Sequence, residues 1–310
     1  MCVMVRLLLA GAAFAALIAG RAVAADLAVA HYAVPVAPVG WSGLYVGVNA
    51  GGTWSSGNDV TITTIPVTVV GGPPAAADAI AGAASASGVF GSRRAGFIGG
   101  GQAGYNWQLG SFVAGLEADI GYVVNHGGSA LNGATGVALV GPASAAPGTT
   151  DLTTFTVSRS LSALGTLRGR AGYLVTPALL AYATGGLAYG SVSGSAGFTT
   201  SNPAYPAIGL SSPWGVSNVF SAVRAGWTLG GGLEWMFVPG FTVKAEYLYY
   251  DLGHVNAAIG VSGPIVLAGF PGAPSPWFTN ASTISARASG SILRVGLNYQ
   301  LGDIPALPRF

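Results

Sequence analysis

A chain of 310 residues that is 51% hydrophobic, only 7% charged and contains 50 glycines departs from soluble globular domains, about one quarter of whose residues are charged. That balance argues against water as its main solvent. Membrane helices are excluded in turn, since each span needs about 20 consecutive apolar residues and no such run follows residue 25.

At the amino terminus, Arg6 precedes an apolar stretch from Leu7 to Ala19, and the small residues Ala22-Val23-Ala24-Ala25 follow. This order predicts a secretory signal peptide over 1–25, cut before Ala25 or Asp26, with Asp26 preferred. Cys2 lies ahead of the apolar stretch, so the mature chain has no thiol and no cysteine-based metal site or disulfide. Loss of Arg6 and Arg21 leaves ten basic and ten acidic residues. A net charge near zero gives no electrostatic footprint for nucleic acid. Residues 26–40, with Pro35 and Pro38, read as an extended periplasmic lead-in.

Eight segments then alternate with a period of two, the signature of strands in a transmembrane barrel. The first, 43–52, sets Leu44, Val46 and Val48 against Tyr45, Gly47 and Asn49; the second, 96–107, sets Phe97, Ala103, Tyr105 and Trp107 against Ile98, Gln102 and Asn106. The third, 111–122, is the cleanest, with Phe112, Leu116, Ile120 and Tyr122 opposite Glu117 and Asp119. The fourth, 160–173, opposes Leu161, Leu167 and Tyr173 to Thr166, Arg168 and Arg170, with Leu164 out of phase. The remaining segments are 179–190, 223–236, 241–250 and 291–301.

Charge decides which face meets lipid, because a basic residue facing the bilayer midplane costs about 2–4 kcal/mol. Glu117, Asp119, Arg168, Arg170, Arg224, Glu234, Lys244, Glu246 and Arg294 all fall opposite the apolar face. They are predicted to pair within a narrow lumen that they largely fill, since eight strands enclose only enough room for side chains. The outward aromatics, such as Trp107, Tyr122, Tyr173, Trp227, Trp235 and Tyr299, read as interfacial girdles.

Short connections near 108–111, 174–178 and 237–240 alternate with long ones at 53–95, 123–159, 191–222 and 251–290. The expectation is an all-β, antiparallel, up-and-down eight-stranded barrel over 41–301, with both termini on the periplasmic side, four long extracellular loops and a tail over 302–310. The long segments, rich in Ala, Gly, Ser, Thr and Pro, read as exposed mobile loops, with 60–70 able to extend the strands.

The runs Trp41-Ser42-Gly43-Leu44-Tyr45-Val46-Gly47-Val48-Asn49-Ala50-Gly51, Gly99 to Trp107, Gly115 to Ile120, Leu167 to Tyr173, Ala183 to Gly190 and Lys244 to Tyr249 carry a resemblance. The chain resembles the small alphaproteobacterial outer-membrane porin-family proteins, often called outer-membrane immunogenic proteins. The resemblance covers the strands and not the loops, and implies an OmpA-like barrel exposed at the cell surface of a Gram-negative outer membrane. It departs from the pattern at the end: Leu301 stands where such barrels close on an aromatic residue, and Phe310 is expected to assist assembly in its place.

Other motifs yield to simpler readings. Gly99 to Gly104 fits G-x-G-x-x-G but lacks the following helix, and Gln102 and Asn106 keep a strand period through it. Glu117 and Asp119 read as salt-bridge partners rather than an acid/base pair. His31, His126 and His254 show no metal-ligand spacing. Asp251 with His254 is the sole foothold for an enzyme, without a nucleophile. No cofactor is expected. The partners expected are outer-membrane lipid and lipopolysaccharide, the barrel-assembly machinery during insertion, and external ligands at the loops. A structural, surface-exposed role leads; the alternatives are a small-solute porin, an outer-membrane enzyme and a loop-mediated ligand binder.

Overall fold

In chain order the elements are β1 (Gly43–Ser55), β2 (Asp59–Val69), α1 (Gly72–Ser85), β3 (Gly88–Gly91), β4 (Ala95–Leu109), β5 (Phe112–Asn125), β6 (Leu131–Ala138), β7 (Thr150–Thr176), β8 (Leu179–Ser201), β9 (Trp214–Val238), β10 (Phe241–Ser262) and β11 (Phe278–Gly302). The computed structural model describes residues 40–55, 59–70, 72–91, 95–125, 131–138, 146–267 and 277–302. The expected signal peptide, the lead-in up to residue 39, the tail from 303, His31, His126 and Phe310 lie outside the described residues.

Eight strands pair antiparallel in the order β1-β4-β5-β7-β8-β9-β10-β11, and β11 returns to β1 to close the ring. The closing seam runs from Leu44 opposite Gly302 to Ser55 opposite Gly290. Closure gives the backbone groups of these strands partners within the sheet, which is the condition for lying in hydrocarbon. Three tight turns, at Gly110-Ser111, Pro177-Ala178 and Pro239-Gly240, join neighbours at one end. Gly110 and Gly240 adopt φ of 64° and 83° there, a region that favours glycine. Within the wall, a Cβ on Gly230 would overlap the carbonyl oxygen of Tyr247, so glycine at that position lets β9 and β10 approach.

The eight segments expected from alternation coincide with ring strands, but the long connections differ from exposed mobile loops. Strands β7 to β11 run on for 22–27 residues each, twice or more the roughly 9–11 needed to cross a bilayer. Residues 191–201 pair with 152–163 and with 214–223. Beyond the ends of β1, β4 and β5, strand β2 takes a place on β11, with β3 beside it, and β6 takes one on β7. Strand β2 accounts for the segment 60–70 that was expected to extend the sheet.

The interior is layered along the barrel axis. At the turn end Trp41, Val113, Leu180, Tyr182 and Met236 form an apolar floor. Charged residues come next. Above them lie Ile98, Leu164, Val192, Leu248, Leu252 and Ile292, and farther out Ile62, Phe155, Val157, Phe198 and Ile284. Leu164, out of phase with a lipid-facing pattern, is an interior residue at 2% exposure. A final cluster of Ala79, Tyr205, Leu210, Trp214 and Phe278 packs with α1 at the far end. The helix is pinned by Asn280 Nδ2, which donates to the Ala79 carbonyl at 3.1 Å, and by a 2.8 Å hydrogen bond between Ser85 and Thr153.

Candidate functional site

The inward face at the level of the closed ring concentrates the charge. Four acids, Glu117, Asp119, Glu234 and Glu246, meet four bases, Arg168, Arg170, Lys244 and Arg294, with all eight at most 7% exposed. Strand pairing brings them together: Glu117 lies opposite Arg168 across β5 and β7, Lys244 opposite Glu234 across β9 and β10, and Glu246 opposite Arg294 across β10 and β11.

Arg168 sits at the centre. Its guanidinium donates to Glu117, to Asp119 Oδ2 at 2.9 Å and to Glu246 Oε1 at 3.0 Å. Lys244 Nζ reaches both oxygens of Glu117 at 2.8 Å. Arg294 donates to Glu246 Oε2 and Asp119 Oδ2, each at 2.8 Å. Arg170 binds Glu234 at 2.5 Å and lies 4.2 Å from the centroid of the Tyr182 ring, a cation–π contact.

Neutral side chains satisfy what the ions leave over. Tyr45 and Tyr182 donate to Glu117 at 2.6 Å and Glu246 at 3.0 Å. Thr166 donates to Asp119 at 2.8 Å, Thr242 to Glu234 at 2.5 Å, and Asn298 Nδ2 to Glu234 at 2.8 Å. Gln102 links Asn298 and Asn49 into the same web. Sequence reasoning placed Tyr45, Asn49, Gln102 and Thr166 on the inward face, but assigned none of these neutral partners to the network.

Arg224 differs from the other eight. It points inward on β9 opposite Gly190, four residues beyond Thr228, at the level of the apolar layer. It makes no ion pair among the described residues, and its Nε has no hydrogen-bond partner. The network is therefore four against four, rather than five bases against four acids.

The remaining candidates have plain structural places. Gly99 to Gly104 is strand throughout, paired with β1 on one side and β5 on the other, with no helix after it. Asp251 is taken up by Arg287, whose Nε lies 3.1 Å from Asp251 Oδ2, and Asp251 Oδ1 accepts from the Gly253 amide at 2.9 Å. His254 lies across the bulge that these bonds hold, opposite Arg287. Among the described residues no group of three or more His, Cys, Asp or Glu converges as a metal site.

Buried ion pairs need their partners, because desolvating a charge costs several kcal/mol that only close countercharge and hydrogen bonds offset. Glu117 accordingly collects Arg168, Lys244 and Tyr45. The assembly is neutral overall, with its carboxylates committed to guanidinium and ammonium groups.

Outside, the ring presents Val48, Leu116, Ile120, Leu167, Leu187, Leu229, Leu293 and Val295, each 49–63% exposed. Trp107, Tyr173, Trp235 and Tyr299 border the turn end, and Tyr122, Tyr189 and Trp227 the other. Apolar outside, ionic inside and closed upon itself, this is the architecture of an outer-membrane β-barrel protein. The sequence profile of the outer membrane protein beta-barrel domain matches residues 12–300, and the chain belongs to that family. It is 32% identical to the 31 kDa outer-membrane immunogenic protein of Brucella melitensis over 93% of this chain and 97% of that one. It is also 31% identical to the 22 kDa outer membrane protein of Rhizobium leguminosarum, over 53% and 57% of the two chains. Among solved structures, OprG of Pseudomonas aeruginosa is similar with a TM-score of 0.37 and 10% identity, over 84% of this chain and 96% of that one. The protein resides in the outer membrane.

Proposed function

We propose that the protein is an eight-stranded surface barrel with a structural role in the cell envelope, sealed against solute rather than conducting it. The neutral eight-residue ion network is the observation that carries this reading, since it occupies a section of the lumen with buried side chains bound to one another. Apolar layers on both sides of the network support the same conclusion. In this reading the tight turns face the periplasm and the four long connections face outward, where the extended strands form a stalk above the membrane. A signal peptide over 1–25, a lead-in over 26–40 and a tail over 302–310 complete the proposed organisation.

The partners follow from the surfaces. Lipid and lipopolysaccharide cover the apolar belt, the assembly machinery handles the chain during insertion, and external ligands meet the distal wall. That the Brucella relative is called immunogenic agrees with surface exposure. A non-enzymatic role is favoured because Asp251, one half of the Asp251–His254 rim candidate, is committed to Arg287 and the Gly253 amide.

A small-solute porin is the competing function, favoured by Arg224, the one inward base without a countercharge among the described residues. Purified protein in a planar lipid bilayer separates the two. The sealed reading expects no stable conductance steps, and reproducible ion-selective steps would establish the porin instead.

A further inference from the structure

Among the described residues, Arg224 is the inward base that the ion network leaves unpaired, and its Nε is shielded from solvent without a hydrogen-bond partner. Taking a charge out of water costs several kcal/mol unless a countercharge offsets it, and Arg224 is partly buried at the level of the apolar layer. Asp251, the acid that β10 brings to this level, is committed to Arg287 and the Gly253 amide. Across β8, Arg224 stands opposite Gly190. A Cβ at Gly190 would lie 3.0 Å from Leu161 Cδ1 and 3.0 Å from Leu252 Cδ1, so these two side chains close over the strand position beside Arg224.

Leu161 and Leu252 also line a cavity of about 490 Å³, mouth included, which Val123, Val192 and Ala288 help to enclose. Val192 pairs with Ala222, two residues from Arg224 on the same face of β9. The cavity therefore reaches the part of the wall that carries Arg224. At its other end it is lined by Trp54 and Ala95, which pair across β1 and β4 and are both exposed, so it opens at the outer surface where β1 ends and β4 begins. Apolar atoms make up most of its lining. The ion network lies below it, so a ligand enters from the outer end and need not cross the barrel.

We propose that this cavity binds a small monocarboxylate, a short aliphatic or single-ring aromatic acid, with its carboxylate on Arg224 and its apolar body in the cavity. The single guanidinium sets the charge of the ligand: a dianion would leave one charge uncompensated beside the apolar layer. The planar fork of an arginine matches a carboxylate with two parallel hydrogen bonds, and Nε offers a donor that the chain itself does not use. The hydrocarbon part gains by leaving water for contact with Val192, Leu252 and Ala288. Size sets the upper limit, because about 490 Å³ with the mouth included falls in the lower half of the range of small-ligand sites, about 300–1,000 Å³.

Isothermal titration of the full chain in nonionic detergent micelles, with micelle-only heats subtracted, tests this. The probes are benzoate and butyrate, with benzamide and butyramide as their uncharged counterparts. Saturable binding of at least one acid is expected, with its amide weaker by about tenfold, the usual worth of a charge-assisted hydrogen bond. Arg224→Gln should lower affinity for the acid by about tenfold and leave the amide unchanged. That variant has no ion pair to lose, so it should keep the heat-dependent gel mobility of the parent. Ala288→Phe, which fills the cavity from β11, provides a second test and should abolish binding of the acid. Absence of saturable binding for both acids in the parent overturns the proposal, as does equal binding of acid and amide, or an acid affinity unchanged in Arg224→Gln. The titration reads binding and not conductance, so its failure is distinguishable from failure of the sealed-barrel reading.

Discussion

Replacing Arg168 with Met is expected to destabilise the folded barrel by about 3–5 kcal/mol, the usual cost of removing one partner from a buried ion cluster. Arg168 is 1% exposed and is the shared partner of Glu117, Asp119 and Glu246. Without it, three carboxylates crowd a site served by Lys244 and Arg294, while Arg170 remains engaged with Glu234. Much of the loss comes from the carboxylates left behind, so adding Glu246→Gln to the variant should recover part of it. Urea titration of the folded, detergent-solubilised protein, followed by the gel shift on heating, measures both changes. A loss below about 1 kcal/mol for the single variant would mean that water already reaches the network, as at exposed ion pairs.

The second large effect concerns the outer face. Leu167 is 52% exposed in the middle of the apolar belt, between Ala118 and Leu187 on the adjoining strands. Leu167→Arg should cost about 2–4 kcal/mol, the penalty for a basic side chain at the bilayer midplane, and should lower the amount of folded protein recovered from outer membranes. Val219 is more exposed, at 77%, but lies on the distal part of β9. Val219→Arg should be nearly neutral, since the proposed stalk above the membrane places that wall in water. Equal losses at the two positions would contradict the placement of the belt.

The phase of the apolar residues explains why the ring was legible in the sequence and its extension was not. On β8, Leu187 and Tyr189 face out at odd positions, whereas Val192, Ala196 and Phe198 face in at even ones. On β11 the outward Leu293, Val295 and Leu297 give way to inward Ile284, Ala286 and Ile292. Backbone alternation continues unbroken on both strands, but the apolar side switches from outward to inward, as expected where the proposed stalk leaves the lipid. A search for one continuous lipid-facing pattern ends at that switch.

Bulges hide the pattern further. Between Leu161 and Ala163 the register of β7 shifts, so inward residues change from Arg170, Arg168, Thr166 and Leu164 to Val157, Phe155, Thr153 and Asp151. A similar shift at Asp251/His254 changes the parity of β10. Helix α1 escaped notice because its segment, Gly-Pro-Pro-Ala-Ala-Ala-Asp-Ala-Ile-Ala-Gly-Ala-Ala-Ser, has small residues nearly all round and no distinct apolar stripe.

The site was legible where charge made the choice of face costly. Eight of the nine charged strand residues converge, and Arg224 is separated by its height along β9, which alternation does not encode. Tyr45, Tyr182, Thr166, Thr242 and Asn298 carry no charge, so only their shared parity pointed to the lumen.

Spin labels placed singly at residues 225–235 of β9, in a chain whose one cysteine, Cys2, is replaced by serine, test the central claim that this strand has lipid on one side and a dry, filled lumen on the other. Collision rates with oxygen and with a water-soluble nickel chelate should then differ between adjacent positions. The account predicts high oxygen access at odd positions and little access to either reagent at even ones. Strong nickel access at the even positions would reveal a water-filled channel, and loss of the two-residue alternation would contradict the barrel wall itself.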